Sequence, residues 1–371
     1  MIPRENAFSP TRILSIDVMR GLIMILLAAE SCHLYGSLNN LHLPGIFGSV
    51  VHQFFHHPWH GLHFWDLVQP AFMTMAGTAM YVSYYYKTQK GITWSENFKH
   101  IAIRCLNLFL FGTGLHCIYA GKLVWELWNV LTQLSVTTMI AYLIIRLPVR
   151  IQVAVSLGLL VITELLYRLV LMPGYDQPFI FGKNFGSWMD TVLMGKTDSS
   201  GWVSINIIPT AAHTIWGVLA GKLFISSNTS SIKIKYLLIA AAVCLSLGYW
   251  LDLAGITPII KRISTSSFVF VSGGWILLIL AFLYWLVDVK KINRNAWIFV
   301  LVGMNALFIY FFFETLGAQW LNQTIAIFVK GFLGFAVANE KLLSVFSAIV
   351  TLFTEWYICY WLWKRKIFFK L

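Results

Sequence analysis

The sequence predicts an all-α protein, a polytopic bundle of membrane-spanning helices. Of its 371 residues, 58% are hydrophobic and only 11% are charged, whereas a soluble domain carries roughly 25% charged residues. Mean hydropathy is +0.72. Sixteen tryptophans and fifteen tyrosines suit a chain with many positions at the membrane–water interface. We therefore expect a chain that crosses a lipid bilayer several times.

Ten apolar runs approach the ~20 residues that are needed to cross a bilayer. Along the chain they cover about 13–35, 64–86, 98–119, 126–146, 149–171, 205–225, 235–255, 264–287, 297–317 and 342–363. A further apolar segment, 321–337, contains Lys330 and two glycines, so we expect a re-entrant or outer-surface helix there. The whole chain, 1–371, is predicted to form one transmembrane domain that begins with a polar cytoplasmic tail at 1–12.

The basic residues indicate an orientation. With both termini in the cytoplasm, seventeen lysines and arginines fall in or beside cytoplasmic segments and seven fall in outer loops. Because these residues favour cytoplasmic loops, we expect a multi-pass protein of the inner (cytoplasmic) membrane with both termini inside. The net charge of +12 is scattered over short loops, so nucleic acid is not an expected partner. Loops 36–63 and 172–204 then face outside, and the second is long enough to act as a lid.

Histidines concentrate in one place. Seven of the ten fall between His33 and His63, and the run leads to Asp66 at the start of an apolar segment. Imidazole exchanges a proton near neutral pH, and polar groups beside membrane segments commonly have a functional or pairing reason. The cluster therefore predicts a reaction or binding site.

A zinc site is the alternative interpretation of the cluster. His57, His60 and His63 are spaced so that they would converge only on a helix, and Pro58 and Gly61 disfavour an undisturbed helix there. No metal is therefore expected.

A second polar group lies near the predicted cytoplasmic ends of the spans. Asp17 and Arg20 are three residues apart, so they share a helical face and can pair. Together with Arg104 they have two alternative interpretations. They form structural ion pairs, or they form a positively charged entrance that binds phosphate groups, since the planar guanidinium of arginine can donate two hydrogen bonds to a phosphate. The isolated His116 and His213 are expected to be buried, hydrogen-bonded side chains.

Several motifs occur in order along nearly the whole chain. They are RILSIDVMRGL at 12–22, HHPWHGLHFWDLVQP at 56–70, NFGSWMD at 184–190, PTAAHTIWGVLAG at 209–221, PIIKR at 258–262, SGG at 272–274 and GMNA at 303–306. This ordered set resembles the heparan-α-glucosaminide N-acetyltransferase family and its bacterial relatives. The resemblance implies a transmembrane acetyltransferase that uses acetyl-CoA from the cytoplasm and acetylates the amine of an amino sugar or glycan on the other side.

The resemblance also implies roles for individual residues. The family's catalytic histidine falls on His56 and its motif aspartate on Asp66, while His60 stands where the family has asparagine. We expect His56, or the adjacent His57, to act as base or acyl carrier, with Asp66 orienting an imidazole. Acceptor binding is assigned to Trp59, His60, Asp190 and Asn305, and acetyl-CoA binding to Asp17, Arg20 and Arg104.

Two questions stay open at this point. A sugar or amino-sugar transporter is the alternative function, because intramembrane polar residues often line substrate paths, although the two halves show no convincing internal repeat. The oligomeric state is also open, with a homodimer among the options.

Overall fold

The computed structural model describes residues 13–369, and this range is helical without a named β-strand. The all-α fold class is therefore confirmed. The predicted tail 1–12 and the chain ends Met1 and Leu371 lie outside the described residues. The chain divides into two compact units, one made of the segments up to Phe55 and from Phe282 onward, the other of His56–Ala281. The prediction of one domain stays a prediction.

The first unit is organised around the first long helix. Its helices are α1 (Leu14–Ser31), α2 (Leu34–Asn39), α3 (Gly45–His52), α12 (Trp297–Met304), α13 (Ala306–Phe312), α14 (Asn322–Leu333) and α15 (Glu340–Lys364), with π-helical stretches at Tyr284–Val289 and Phe313–Leu321. The backbone amides of Leu14 and Ser15 donate to the carboxylate of Asp288 at 2.9 and 3.0 Å. A carboxylate there satisfies orphan amides and complements the helix dipole, so it fixes where α1 begins.

A sharp bend follows α12. The helix that runs through 306–333 is tilted by 76° from α12, and Asn305 stands at the break. Its side chain donates to the carbonyl of Ile367 and accepts from the amide of Phe369, both at 3.1 Å. The apolar segment 321–337 lies largely in the second part of this bent pair, which extends to Leu333, and its re-entrant or outer-surface position stays a prediction.

The second unit contains the other long helices. They are α4 (Val68–Gln89), α5 (Trp94–Ala120), α6 (Val130–Leu143), α7 (Val149–Leu169), α8 (Phe185–Met194), α9 (Ile207–Ile225), α10 (Ser230–Leu253) and α11 (Ser266–Leu283). Helices α4 and α9 pack closely because Gly77 faces the backbone of Thr214 and Gly217 faces that of Thr74, with no room for a Cβ at either glycine. Close backbone approach through small residues is typical of membrane helix pairs.

Length and composition limit the number of spans. Among the described residues, six helices are long and apolar enough to cross a membrane, or seven if the bent pair at Asn305 is one span. Helix α6 has only 14 residues, and α1 carries three charged residues, Asp17, Arg20 and Glu30. The multi-pass membrane character is supported, but the predicted count of ten spans is not confirmed.

Candidate active site

The histidine segment 56–63 is held in a fixed, non-helical course. The amide of Gly61 donates to the carbonyl of Ile259 at 2.9 Å, and His60 forms a β-bridge with Ile260. Gly61 has φ +141°, and a Cβ at this position would collide with the ring of His57. Glycine is therefore required here, and the segment presents its side chains from a rigid backbone.

The carboxylate of Asp66 is hydrogen-bonded to several groups of this segment. Asp66 lies in a short 3₁₀-helix, Phe64–Leu67, and is fully buried. Its Oδ1 lies 2.9 Å from Nδ1 of His56, while Oδ2 accepts from the amides of His57 at 3.2 Å and His63 at 2.9 Å. A buried carboxylate is tolerated when it is hydrogen-bonded in this way. One side chain therefore fixes both the His56 ring and the surrounding backbone.

A lysine completes the group. Nζ of Lys261 lies 3.1 Å from Nδ1 of His56 and 3.6 Å from Oδ1 of Asp66. The residue is only 6% exposed, and its ammonium stands 5.4 Å from the ring centroid of Trp202. Lys261 belongs to the PIIKR motif, but the motif by itself gives this lysine no role. His56, Asp66 and Lys261 thus form a triad at the site.

The triad restricts the tautomer of His56. Nδ1 cannot donate to Asp66 and accept from Lys261 at the same time. We assign the proton to Nδ1, because an ionised carboxylate only accepts, whereas the lysine also has the Asp66 carboxylate and the Trp202 ring as partners. This assignment leaves the lone pair on Nε2. The His56 side chain is 34% exposed, so a substrate can reach the ring.

The electrostatics keep the imidazole neutral. Burial lowers the pKa of His56 to about 4, and the positive charge of Lys261 acts in the same direction, while the hydrogen bond with Asp66 opposes both. Burial raises the pKa of Asp66, but the His56 hydrogen bond and the Lys261 charge outweigh it, so the pKa of this carboxyl is lowered. At neutral pH the site therefore holds a neutral imidazole oriented by an ionised carboxylate, an arrangement suited to a general base or nucleophile.

The long loop 172–204 contacts the histidine segment. Nε1 of Trp59 donates to the carbonyl of Phe179 at 2.8 Å, and its ring lies 5.1 Å from that of Phe181. The Trp202 ring meets the His56 ring edge-on at 5.5 Å. Aromatic side chains of this loop therefore form part of the surroundings of the triad.

Two residues assigned to acceptor binding are engaged elsewhere in the second unit. Nε2 of His60 lies 2.7 Å from Oδ1 of Asp252. Asp190 is buried and accepts from Nε1 of Trp128 at 2.7 Å and from the amide of Ser204 at 2.9 Å. Burial raises the pKa of Asp190 despite these bonds. The described contacts thus tie Asp190 to the start of α9, and its role toward the acceptor stays a prediction.

The residues assigned to acetyl-CoA are distributed over both units. In the first unit, Nη2 of Arg20 pairs with Oδ1 of Asp17 at 2.8 Å, which confirms the predicted ion pair, and Nε donates to the carbonyl of Gly303 at 2.6 Å. Asn305 belongs to this unit and binds the chain near Ile367, as described above. Arg104 lies half-buried on α5 in the second unit.

Four further histidines contact other side chains. His116 lies 2.5 Å from Glu126, and His213 lies 3.0 Å from Ser272, so both are hydrogen-bonded as predicted. The rings of His57 and His63 meet edge-on at 4.8 Å. Within 13–369, no three His, Cys, Asp or Glu side chains converge as metal ligands.

Comparison with known proteins agrees with the resemblance seen in the sequence. No curated protein matches the chain significantly. A sequence model described as "Heparan-alpha-glucosaminide N-acetyltransferase, catalytic" matches residues 12–250, more than half of the chain. The matched range contains His56 and Asp66 and ends before Lys261. The chain therefore belongs to the heparan-alpha-glucosaminide N-acetyltransferase catalytic family.

Proposed function

We propose that this protein transfers the acetyl group of cytoplasmic acetyl-CoA to the amine of an extracytoplasmic amino sugar of the glucosamine type. Family membership supports a transmembrane N-acetyltransferase. The triad supports the proposal from the structure, because a neutral His56 contacts an ionised Asp66 and a buried Lys261. Such a site performs the proton transfer that acetylation of an amine requires.

The chemistry follows from the free nitrogen of His56. Nε2 removes a proton from the acceptor ammonium, so that the amine can attack the thioester carbonyl. The tetrahedral intermediate collapses, the C–S bond breaks and CoA leaves as a thiol after it takes up a proton. In the covalent alternative, Nε2 itself attacks the carbonyl, the C–S bond breaks and CoA leaves as a thiolate. The neutral form of the amine then attacks the acetyl-imidazole, the bond between the acetyl carbon and Nε2 breaks, and the released imidazole takes up the proton that the amine loses. Both routes use the same atom and need donors for the oxyanion, a role that we assign to His57, because Nε2 of His60 is engaged with Asp252.

We place the two substrates on opposite sides of an inner membrane, with both termini in the cytoplasm and the histidine segment outside. The seventeen-to-seven distribution of basic residues supports this orientation. The flexible pantetheine arm of acetyl-CoA is long enough to separate the thioester from the nucleotide. The phosphates would then stay near the cytoplasmic ends of the spans, where we place Arg20 and Arg104.

Arg104→Ala should weaken acetyl-CoA binding and leave acceptor affinity nearly unchanged. Loss of a charge-assisted hydrogen bond to phosphate is worth about 10- to 100-fold in affinity. Calorimetry with acetyl-CoA measures the effect, and Arg150→Ala, which removes an exposed arginine at the start of α7, is the matched control. Equal affinity in the Arg104 variant and the parent would remove Arg104 from the proposed site.

The proposed reaction is tested with the purified full chain. Radiolabelled acetyl-CoA is incubated with the protein and a panel of amino sugars, and both thioester consumption and labelled acceptor are measured. We expect label on the sugar amine and none on the corresponding N-acetylated sugars. If the protein consumes no acetyl-CoA but moves labelled amino sugar across liposomes, it is a transporter and the proposal is wrong.

A further inference from the structure

Glu355 is a buried acid that the proposed reaction does not use. It lies on α15, nine residues before the helix end at Lys364, which is roughly 14 Å at 1.5 Å per residue. The residue is 1% exposed, and neither carboxyl oxygen has a hydrogen-bond partner among the described residues. An unsatisfied carboxyl within a membrane span is costly, so an intramembrane acid of this kind indicates a functional site.

A cavity of about 480 Å³ lies beside this acid in the first unit. Helices α1, α12, α13 and α15 supply its walls, and Glu355 is the only ionisable oxygen-bearing side chain among the lining residues. Small-molecule sites are typically of this size, largely apolar, with a few polar groups that set specificity. The cavity therefore has the dimensions and chemistry of a ligand site.

Two tryptophans of the lining stand together. The rings of Trp297 and Trp356 meet at 5.6 Å and an interplanar angle of 62°. Tryptophan faces attract cations, most strongly where water is excluded. Gly317 leaves space for the carboxyl, since a Cβ there would lie 2.9 Å from Oε1 of Glu355.

We propose that this cavity binds a lipophilic cation, an apolar molecule that carries a single positive charge. The carboxylate would pair with the charge, the tryptophan rings would contact it, and the aliphatic walls would take up the apolar body. A neutral hydrocarbon chain would fill the space but leave the carboxyl without a partner. An anion would be repelled. The lining contains no residue of the triad, and binding of the cation does not depend on acetyl transfer.

The test measures binding of tetraphenylphosphonium to the full chain in lipid nanodiscs by equilibrium dialysis. We expect saturable binding to the parent and a loss of about 10- to 100-fold in affinity for Glu355→Gln. Tetraphenylborate has nearly the same shape and apolar surface but the opposite charge, so it should show no saturable binding. Comparing variants in identical nanodiscs cancels partition into the lipid.

Glu340→Gln is the matched control, because it removes the same charge from the exposed start of the same helix and should bind the cation like the parent. If Glu355→Gln does not fold, Glu355→Asp replaces it and should still favour the cation over the borate. Equal cation affinity in the parent and Glu355→Gln, or equally tight binding of the borate, overturns the proposal.

Discussion

Replacing His56 with alanine should lower kcat/KM for acetyl transfer on the order of 10²–10⁴-fold, the range found when a general base is lost. The ring of His56 supplies the only nitrogen that Asp66 and Lys261 jointly orient among the described residues. Loss of a covalent acetyl carrier would reduce turnover at least as much. The variant should stay folded and bind acetyl-CoA, because truncation of a partly exposed ring leaves the Asp66–Lys261 ion pair in place.

The neighbouring histidine makes this a paired experiment. His57 contributes its backbone amide to Asp66, and an alanine at this position keeps that amide, so His57→Ala should lose less activity than His56→Ala. His100→Ala, an exposed histidine on α5, controls for loss of an imidazole elsewhere. If both His56→Ala and His57→Ala turn over near the parent rate, the proposed acyl-transfer mechanism is wrong. A large loss of activity only in His57→Ala would show that His57, and not His56, is the base.

The fold class was predictable because it depends on bulk composition, whereas the span count depends on local capping. The apolar run 126–146 is long enough to span by hydropathy, but Asn129 accepts a hydrogen bond from the amide of Leu131 and starts α6 there. The resulting helix ends at Leu143. Hydropathy alone does not predict where a helix begins, because it depends on the number of apolar residues and not on which backbone amides are capped by side chains.

The site was predictable only where its residues are close in sequence. His56 and Asp66 are ten positions apart and belong to one motif, so their proximity could be inferred. Lys261 is 205 positions from His56, and no local sequence pattern links the two residues. The contact between His60 and Asp252, separated by 192 positions, was missed for the same reason. Such long-range contacts depend on how α10 and the loop after it pack against the histidine segment, and no local sequence pattern predicts this packing.

Changing Lys261 to methionine should move the acid limb of the kcat/KM profile to higher pH. A general base works only above its pKa, and the pKa of His56 is lowered to about 4 by burial first and by the Lys261 charge second. Methionine has a similar length but no charge, so the pKa of His56 should rise. A protonated His56 would then also balance the negative charge of Asp66, which Lys261 balances in the parent. Each unit of displacement lowers the rate about tenfold at a pH below the new limb, and raising the pH should restore it.

Asp66→Asn should displace the acid limb of the kcat/KM profile in the opposite direction. It removes the hydrogen bond and charge that raise the pKa of His56 and leaves the Lys261 cation beside the ring, so the acid limb should move to lower pH. The plateau should also fall, because the amide no longer selects the tautomer with the proton on Nδ1. Lys261→Arg keeps a cation and should stay closer to the parent than Lys261→Met does.

These opposite displacements separate an electrostatic role from a structural one. A variant that merely loosens the histidine segment would lower the rate at every pH without moving the limb, and thermal unfolding of each variant would detect it. If Lys261→Met leaves the limb where it is, or if Lys261→Met and Asp66→Asn displace it in the same direction, Lys261 does not set the protonation of His56. Its burial against Trp202 would then serve packing alone.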